Sequence, residues 1–181
     1  MTRLVWAFGA LIATSLVAVS TVVHTPTKLI WNASASAPIG LYSVATFDRL
    51  KVGDLIAIAP PEPIERFIVD GGYLPAGVPL LKRVLGLPGQ SVCRLDRTIT
   101  VDGVVMGQAR ERDARNRPLP VWQGCRRIAG DEVFAMNWTV PDSLDGRYFG
   151  PIPTHSIIGL AVPVWTDEAG DGRYQWRAGT D

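Results

Sequence analysis

From Leu4 to Val23 the chain carries no charged side chain: LVWAFGALIATSLVAVSTVV. As a helix, a run of that length spans about 30 Å, the thickness of a bilayer's hydrocarbon core. Arg3 and the amino terminus stand before it, and His24, Pro26 and Lys28 follow. A cleaved secretory signal is also apolar, and Ala18-Val19-Ser20 offers a small-x-small cleavage site. The apolar core of a signal, however, runs only about 7–15 residues. The run therefore reads as a retained N-terminal anchor over residues 1–23, its positive end in the cytoplasm. On either reading residues 24–181 leave the cytoplasm, and they are enough for one domain with its own core.

Composition narrows what that domain does. With 47% apolar and 19% charged residues the chain is not disordered, and a net charge of +1 argues against nucleic acid as a partner. Neither Gly-rich phosphate fingerprint is present, which argues against a dinucleotide or P-loop enzyme. Two histidines and two cysteines are too few for a four-ligand structural zinc site unless carboxylates fill in. Cys93 and Cys125 are the one cysteine pair, and an oxidising periplasm allows them to join. That bridge would close a loop of about 30 residues, worth roughly 3–4 kcal/mol in the chain-entropy model. Two separate buried thiols are the alternative.

Beyond the anchor the sequence reads as short strands. β-branched runs recur at Leu41–Phe47, Asp54–Ala59, Leu80–Leu87, Thr98–Met106, Glu132–Met136 and Ser156–Trp165, with turn residues between them. Asp102-Gly103 inside TITVDGVVM is a two-residue hairpin signal. Only Pro63–Val69 suggests a turn or two of helix, and fourteen prolines and eighteen glycines disfavour a helix bundle. The expected fold is a mostly β domain behind one N-terminal transmembrane helix. Between the cysteines, Ala109–Arg127 holds Arg110, Arg112, Arg115, Arg117, Arg126 and Arg127. It reads as a solvated insertion pinned at its ends, or as a contact for anionic headgroups or an acidic partner. The tail Thr166–Asp181 carries no recognisable chemistry.

Three segments bear on chemistry. Asn32–Tyr42, NASASAPIGLY, surrounds a serine with small residues and then Pro and Gly, which suits an exposed hydroxyl on a turn. Pro79–Gly89, PLLKRVLGLPG, sets Lys82 inside an apolar strand pattern. Burial lowers the pKa of an ammonium, and a neutral lysine near pH 7–8 can act as a general base. Asn137–Gly150, NWTVPDSLDGRYFG, gathers Ser143, Asp145 and Arg147 in a polar loop, where an Asp–Arg pair would hold the loop's shape.

In this order the segments resemble the bacterial signal peptidases that use a Ser–Lys dyad, and most of all their conjugative-transfer branch, the TraF-type peptidases that mature pilin precursors. The first resembles the nucleophile motif S-x-S with a following Pro and G-L-Y, the second K-R-V-x-G-x-P-G, and the third S-x-D-x-R-x-x-G. The likeness runs from the anchor to about Val164. It implies that Ser36 is the nucleophile and Lys82 the general base. Ser34 and the Ser36 backbone N–H would stabilise the oxyanion, Ser143 would position the lysine amine, and Asp145 with Arg147 would brace the site. No cofactor is implied, and neither His24 nor His155 has a role.

The chain departs from the general signal-peptidase pattern in three places. Ala37 replaces the methionine after the nucleophile, Ala135-Met136-Asn137 replaces Gly-Asp-Asn, and Gly146 replaces a serine. These favour a dedicated substrate over housekeeping presequence cleavage. The resemblance thus implies an inner-membrane, single-pass enzyme with a periplasmic serine peptidase domain over 24–181. Its substrate would be a pilin or other exported precursor in a type IV secretion system, cut by acyl transfer to water or to an amine terminus. A general type I signal peptidase and a non-catalytic component of the secretion channel are the alternatives.

Overall fold

The computed structural model describes residues 2–22 and 27–179, the side chains of residues 2 and 20–22 excepted. The apolar run forms helix α1 (Thr2–Val22), with its large apolar side chains exposed, Trp6 and Leu16 among them. Among the described residues no helix is long and apolar enough to cross a membrane. The end of the anticipated anchor, residues 20–23, lies outside the described side chains.

The remainder is mostly β. Strands β1 (Leu29–Asn32), β2 (Ile39–Ala45) and β3 (Leu55–Ile58) precede helix α2 (Ile64–Asp70) and strand β4 (Leu80–Gly86). The ribbon strands β5 (Ser91–Leu95), β6 (Thr98–Val101), β7 (Val104–Gln108) and β8 (Gly124–Arg127) follow. The chain then returns through β9 (Glu132–Ala135), helix α3 (Gly146–Phe149), β10 (Ile152–Pro153), β11 (Ile157–Asp167) and β12 (Gln175–Trp176). The main sheet runs β1-β2-β11-β3-β4-β9-β10 with β12 paired to β11, and a separate four-stranded sheet runs β7-β6-β5-β8. Strands lie at the β-branched runs read from the sequence. Strands β1, β5 and β8 were not anticipated, because four or five residues such as GCRR bear too short a pattern to be read alone.

Alternation on β3 and β4 separates two cores. Ile56, Ile58, Leu80 and Val84 pack with Ile68 of α2 and with Val133 and Ile152, while Leu55, Ala57 and Leu81 pack with Ile30, Ala37 and Tyr42. Lys82 has the parity of Leu80 and Val84, so the pleat that buries those side chains also buries it. A third cluster of Leu85, Val92, Ile99, Ile128, Phe134 and Met136 joins the ribbon to the main sheet. Gly40 lets β2 pass against β11: a Cβ there would lie 2.2 Å from the Trp165 carbonyl oxygen, at a φ of +147°.

Cys93 and Cys125 are directly opposite on β5 and β8 and form a disulfide 32 residues apart in sequence. The double variant Cys93→Ser/Cys125→Ser is expected to lose about 3–4 kcal/mol of unfolding free energy in a urea titration. A loss under about 1 kcal/mol would mean that pairing of β5 and β8 carries the ribbon without the bridge.

Candidate active site

The turn between β1 and β2 presents Ser34 and Ser36. Asn32, buried at the end of β1, organises it. Its side-chain amide donates to the carbonyls of Ser34 (2.9 Å), Ala37 (3.0 Å) and Pro38 (3.0 Å), and its Oδ1 accepts from the Ser34 N–H (3.1 Å) and hydroxyl (3.0 Å). The Tyr42 hydroxyl donates to the Pro38 carbonyl at 2.6 Å. Ala37 is buried against Tyr42, Leu55 and Leu81. With its backbone groups held this way, the turn keeps the Ser36 hydroxyl partly accessible while its neighbours are fixed. The Ser36 N–H makes no hydrogen bond among the described residues, so it is free to donate.

Lys82 reaches this turn from β4. Its Nζ lies 3.1 Å from Ser36 Oγ and donates to Ser143 Oγ at 3.0 Å, while Ser34 Oγ is 3.0 Å from Ser36 Oγ. Lys82 is 3% exposed. Desolvation takes its pKa from the ordinary 10.5 down to about 8, with Asp145 pulling it up and Arg147 pushing it down. A buried amine that ionises near pH 8 is a usable base at physiological pH.

Beneath the lysine lies an ion pair almost without solvent. Arg147 Nη2 meets Asp145 Oδ2 at 2.8 Å, with side chains 1% and 0% exposed, and Arg147 Nε donates to Asp145 Oδ1 at 2.9 Å. The guanidinium also donates to the carbonyls of Val140 (2.6 Å), Asn137 (3.2 Å) and Pro141 (3.2 Å). It thereby shapes the loop that delivers Ser143 to Lys82. Asp145 further caps α3 by accepting the Arg147 N–H. Gly146 is small because of packing: a Cβ there would lie 2.6 Å from the Phe134 ring and 2.8 Å from the Ala135 carbonyl.

Two residues in this arrangement carry roles that sequence reasoning missed, Asn32 and Asn137. Asn137 is buried; its amide donates to the carbonyls of Ser36 and of Leu81 (3.1 Å), and its Oδ1 accepts the Arg83 N–H at 2.9 Å. It thus ties the serine turn to the lysine strand. The available signal was an asparagine closing a short apolar run in each case, LIWN at the end of β1 and VFAMN two residues past the end of β9.

The insertion between the cysteines differs from the solvated loop expected. Ala109 and Leu119 are buried, and its backbone is organised by Asp113. That carboxylate accepts the Arg115 N–H (2.9 Å), the Arg117 N–H (2.8 Å) and Nε (2.7 Å), and the Tyr73 hydroxyl (2.7 Å). Desolvation alone would raise its pKa, but these hydrogen bonds outweigh it and hold the group well below the usual carboxylate range. The insertion therefore forms a wall of a cavity of about 430 Å³ whose other lining includes Ser34, Ser36, Lys82 and Ser143. Among the described residues no group of histidine, cysteine or acidic side chains is placed to hold a metal.

The family model for signal peptidase, peptidase S26, matches residues 1–166. A probable conjugal transfer protein TraF of Sinorhizobium fredii is 37% identical over 145 residues, 75% of this chain and 76% of that one. A conjugal transfer protein TraF of Agrobacterium fabrum is 35% identical, covering 75% of this chain and 81% of its own. The crystal structure of a signal peptidase I from Enterococcus faecalis V583 aligns with 64% of this chain and 98% of its own at 21% identity, with a TM-score of 0.39.

Proposed function

The chain belongs to the peptidase S26 family of signal peptidases, and on that footing we propose that it is a membrane-anchored serine endopeptidase that matures an exported precursor, a pilin foremost, for conjugative transfer. Ser36 is the nucleophile and Lys82 its general base. The observation that carries this reading is the 3.1 Å approach of Lys82 Nζ to Ser36 Oγ at a buried amine. The relatives named for conjugal transfer support the substrate class.

In this reading the neutral Lys82 amine takes the Ser36 hydroxyl proton as Oγ attacks the scissile carbonyl. The Ser36 N–H and the Ser34 hydroxyl, once it turns from Asn32 Oδ1, donate to the developing oxyanion. The tetrahedral intermediate collapses, the departing amine takes its proton from the Lys82 ammonium, and an acyl-enzyme remains. Water, or the amino terminus of a peptide, then attacks the ester with Lys82 again as base. Ser143 holds the amine in line throughout. The uncharged run of residues 4–23 is the proposed anchor, which leaves the 24–181 domain on the periplasmic face. The exposed rings of Trp31, Trp165 and Trp176 on the sheet that begins at Leu29 support a membrane-proximal placement.

The test is mass spectrometry of a pilin precursor from the same conjugative system, co-expressed with the wild type or with Ser36→Ala. A precursor trimmed by the wild type alone supports the reading, and the product mass separates hydrolysis from ring closure by one water. Equal trimming with both would move the protein to a non-catalytic role in the secretion channel. The pH dependence gives a second check. Because the base must be neutral, kcat/KM is expected to rise about tenfold per pH unit up to about 8 and then level off. A flat profile between pH 6 and 9 would exclude Lys82 as the base.

A further inference from the structure

We propose that Arg110 and Arg115 are specificity determinants whose guanidinium groups bind a carboxylate of the substrate peptide close to the scissile bond. This rests on the peptidase reading above. Both arginines line the cavity that also holds Ser36 and Lys82, and both are exposed. Among the described residues neither guanidinium makes a hydrogen bond or an ion pair. Their neighbours on the insertion are engaged otherwise. Arg112 donates to the Asn116 carbonyl (2.8 Å), Arg126 pairs with Glu132 (2.7 Å), and Arg117 pairs with Asp113 (2.7 Å) and lies over the Tyr73 ring.

The wall that presents the two arginines is already rigid. Asp113 gathers the backbone N–H groups of Arg115 and Arg117, the Leu119 N–H bonds to the Glu111 carbonyl (3.0 Å), and Arg117 donates to the Gly71 carbonyl beside α2. A ligand binding there orders only the two side-chain ends, which keeps the entropic cost of recognition low. The charge balance also points to an acid. The Arg117–Asp113 pair cancels, and of the carboxylates lining that cavity only Asp142 remains against Arg110 and Arg115. On the other flank of Ser36 a cavity of about 340 Å³ is lined by Asp167 and Glu168 with Arg83. There Asp167 accepts the Asp171 and Gly172 N–H groups and Glu168 accepts the Thr166 hydroxyl, so these carboxylates hold their own loop and the arginine pair alone carries the recognition. A planar guanidinium pair suits a carboxylate in particular.

The carboxylate has two sources, an acidic side chain or the free carboxy terminus of the peptide, and the test separates them. Synthetic peptides with small residues around the cut carry Glu or its isostere Gln at successive positions on both sides, each with a free or an amidated carboxy terminus. They are measured for kcat/KM on the full-length wild type and for binding to full-length Ser36→Ala. Wild type is expected to favour Glu over Gln, or free over amidated termini, by about fivefold, as two charge-assisted contacts at a partly wet site allow. In Arg110→Gln/Arg115→Gln that ratio falls to about one, and in Arg110→Glu/Arg115→Glu it inverts, the uncharged member of each pair then being favoured. Because each ratio is taken within one protein, partial loss of folded enzyme does not produce it. Equal rates and equal binding for all pairs on wild type, or a preference that survives the double substitution, would overturn the proposal. So would an unchanged peptide preference with lost binding to anionic phospholipid vesicles, which would assign the arginines to the membrane surface. Carboxylate-selective binding to Ser36→Ala without any cleavage by wild type would keep this recognition and overturn the peptidase reading instead.

Discussion

Replacing Ser36 by Ala, or Lys82 by Met, is expected to lower kcat/KM for precursor cleavage by at least about 10⁴-fold, because nucleophile and base act as one unit. The double variant should lose little more than either single one. The two substitutions part company in stability. Folding depresses the Lys82 pKa from 10.5 to about 8. The unfolded chain thus binds the proton more tightly, and the corresponding stability is present above pH 10.5 and lost as pH falls through 8. At neutral pH the buried amine therefore costs about 3 kcal/mol, the product of 2.5 pH units and 1.36 kcal/mol per unit. Lys82→Met is expected to return much of it, seen as a higher midpoint in urea at pH 7 and a smaller gain at pH 10. A destabilised Lys82→Met protein would show that the hydrogen bonds to Ser36 and Ser143 outweigh desolvation. Residual cleavage within tenfold of wild type in either variant would remove the dyad from the mechanism.

The second large effect lies at Arg147. Arg147→Met removes the partner of a fully buried carboxylate and strands the carbonyls of Val140, Asn137 and Pro141. The expected loss is about 3–5 kcal/mol, enough to unfold a marginal domain near 37 °C. Asp145→Asn should also cost stability, since its single amide oxygen replaces only one of the two carboxylate oxygens that accept the Arg147 and Asn137 N–H groups, and its NH2 meets a donor at the other. A double-mutant cycle on urea midpoints should show strong coupling between them. If Arg147→Met unfolds at the wild-type urea concentration, the pair is not what shapes the Ser143 loop.

Much of this was legible in the chain. The apolar, β-branched runs of β2, β4 and β11 declare themselves because strand-forming residues cluster there between turn residues. The uncharged run that begins at Leu4 is equally local, and its described part, to Val22, folds within α1. Ser36, Lys82 and the Ser143–Arg147 segment stand out as motifs, and the structure brings them within hydrogen-bond reach of one another. Other features were not legible. Strands β1 and β8 exist because neighbours pair with them, and nothing in LIWN or GCRR carries that information. The arginines of 109–127 looked alike in sequence, yet Arg117 is spent on Asp113 and Gly71 while Arg110 and Arg115 stay open.

The amino-acid sequence alone therefore determined which segments pair polar chemistry with apolar strands, because hydrophobic period and turn residues act over a few neighbours. Only the tertiary structure decided that Lys82, 46 residues beyond Ser36 and 61 before Ser143, meets both hydroxyls in a site dry enough to shift its pKa. It also turned Asn32 and Asn137 into the clamps of the serine turn and the arginine insertion into a wall of the same cavity. Burial, and the hydrogen bonds that burial enforces, depend on which distant strands share a sheet, and no local pattern encodes that.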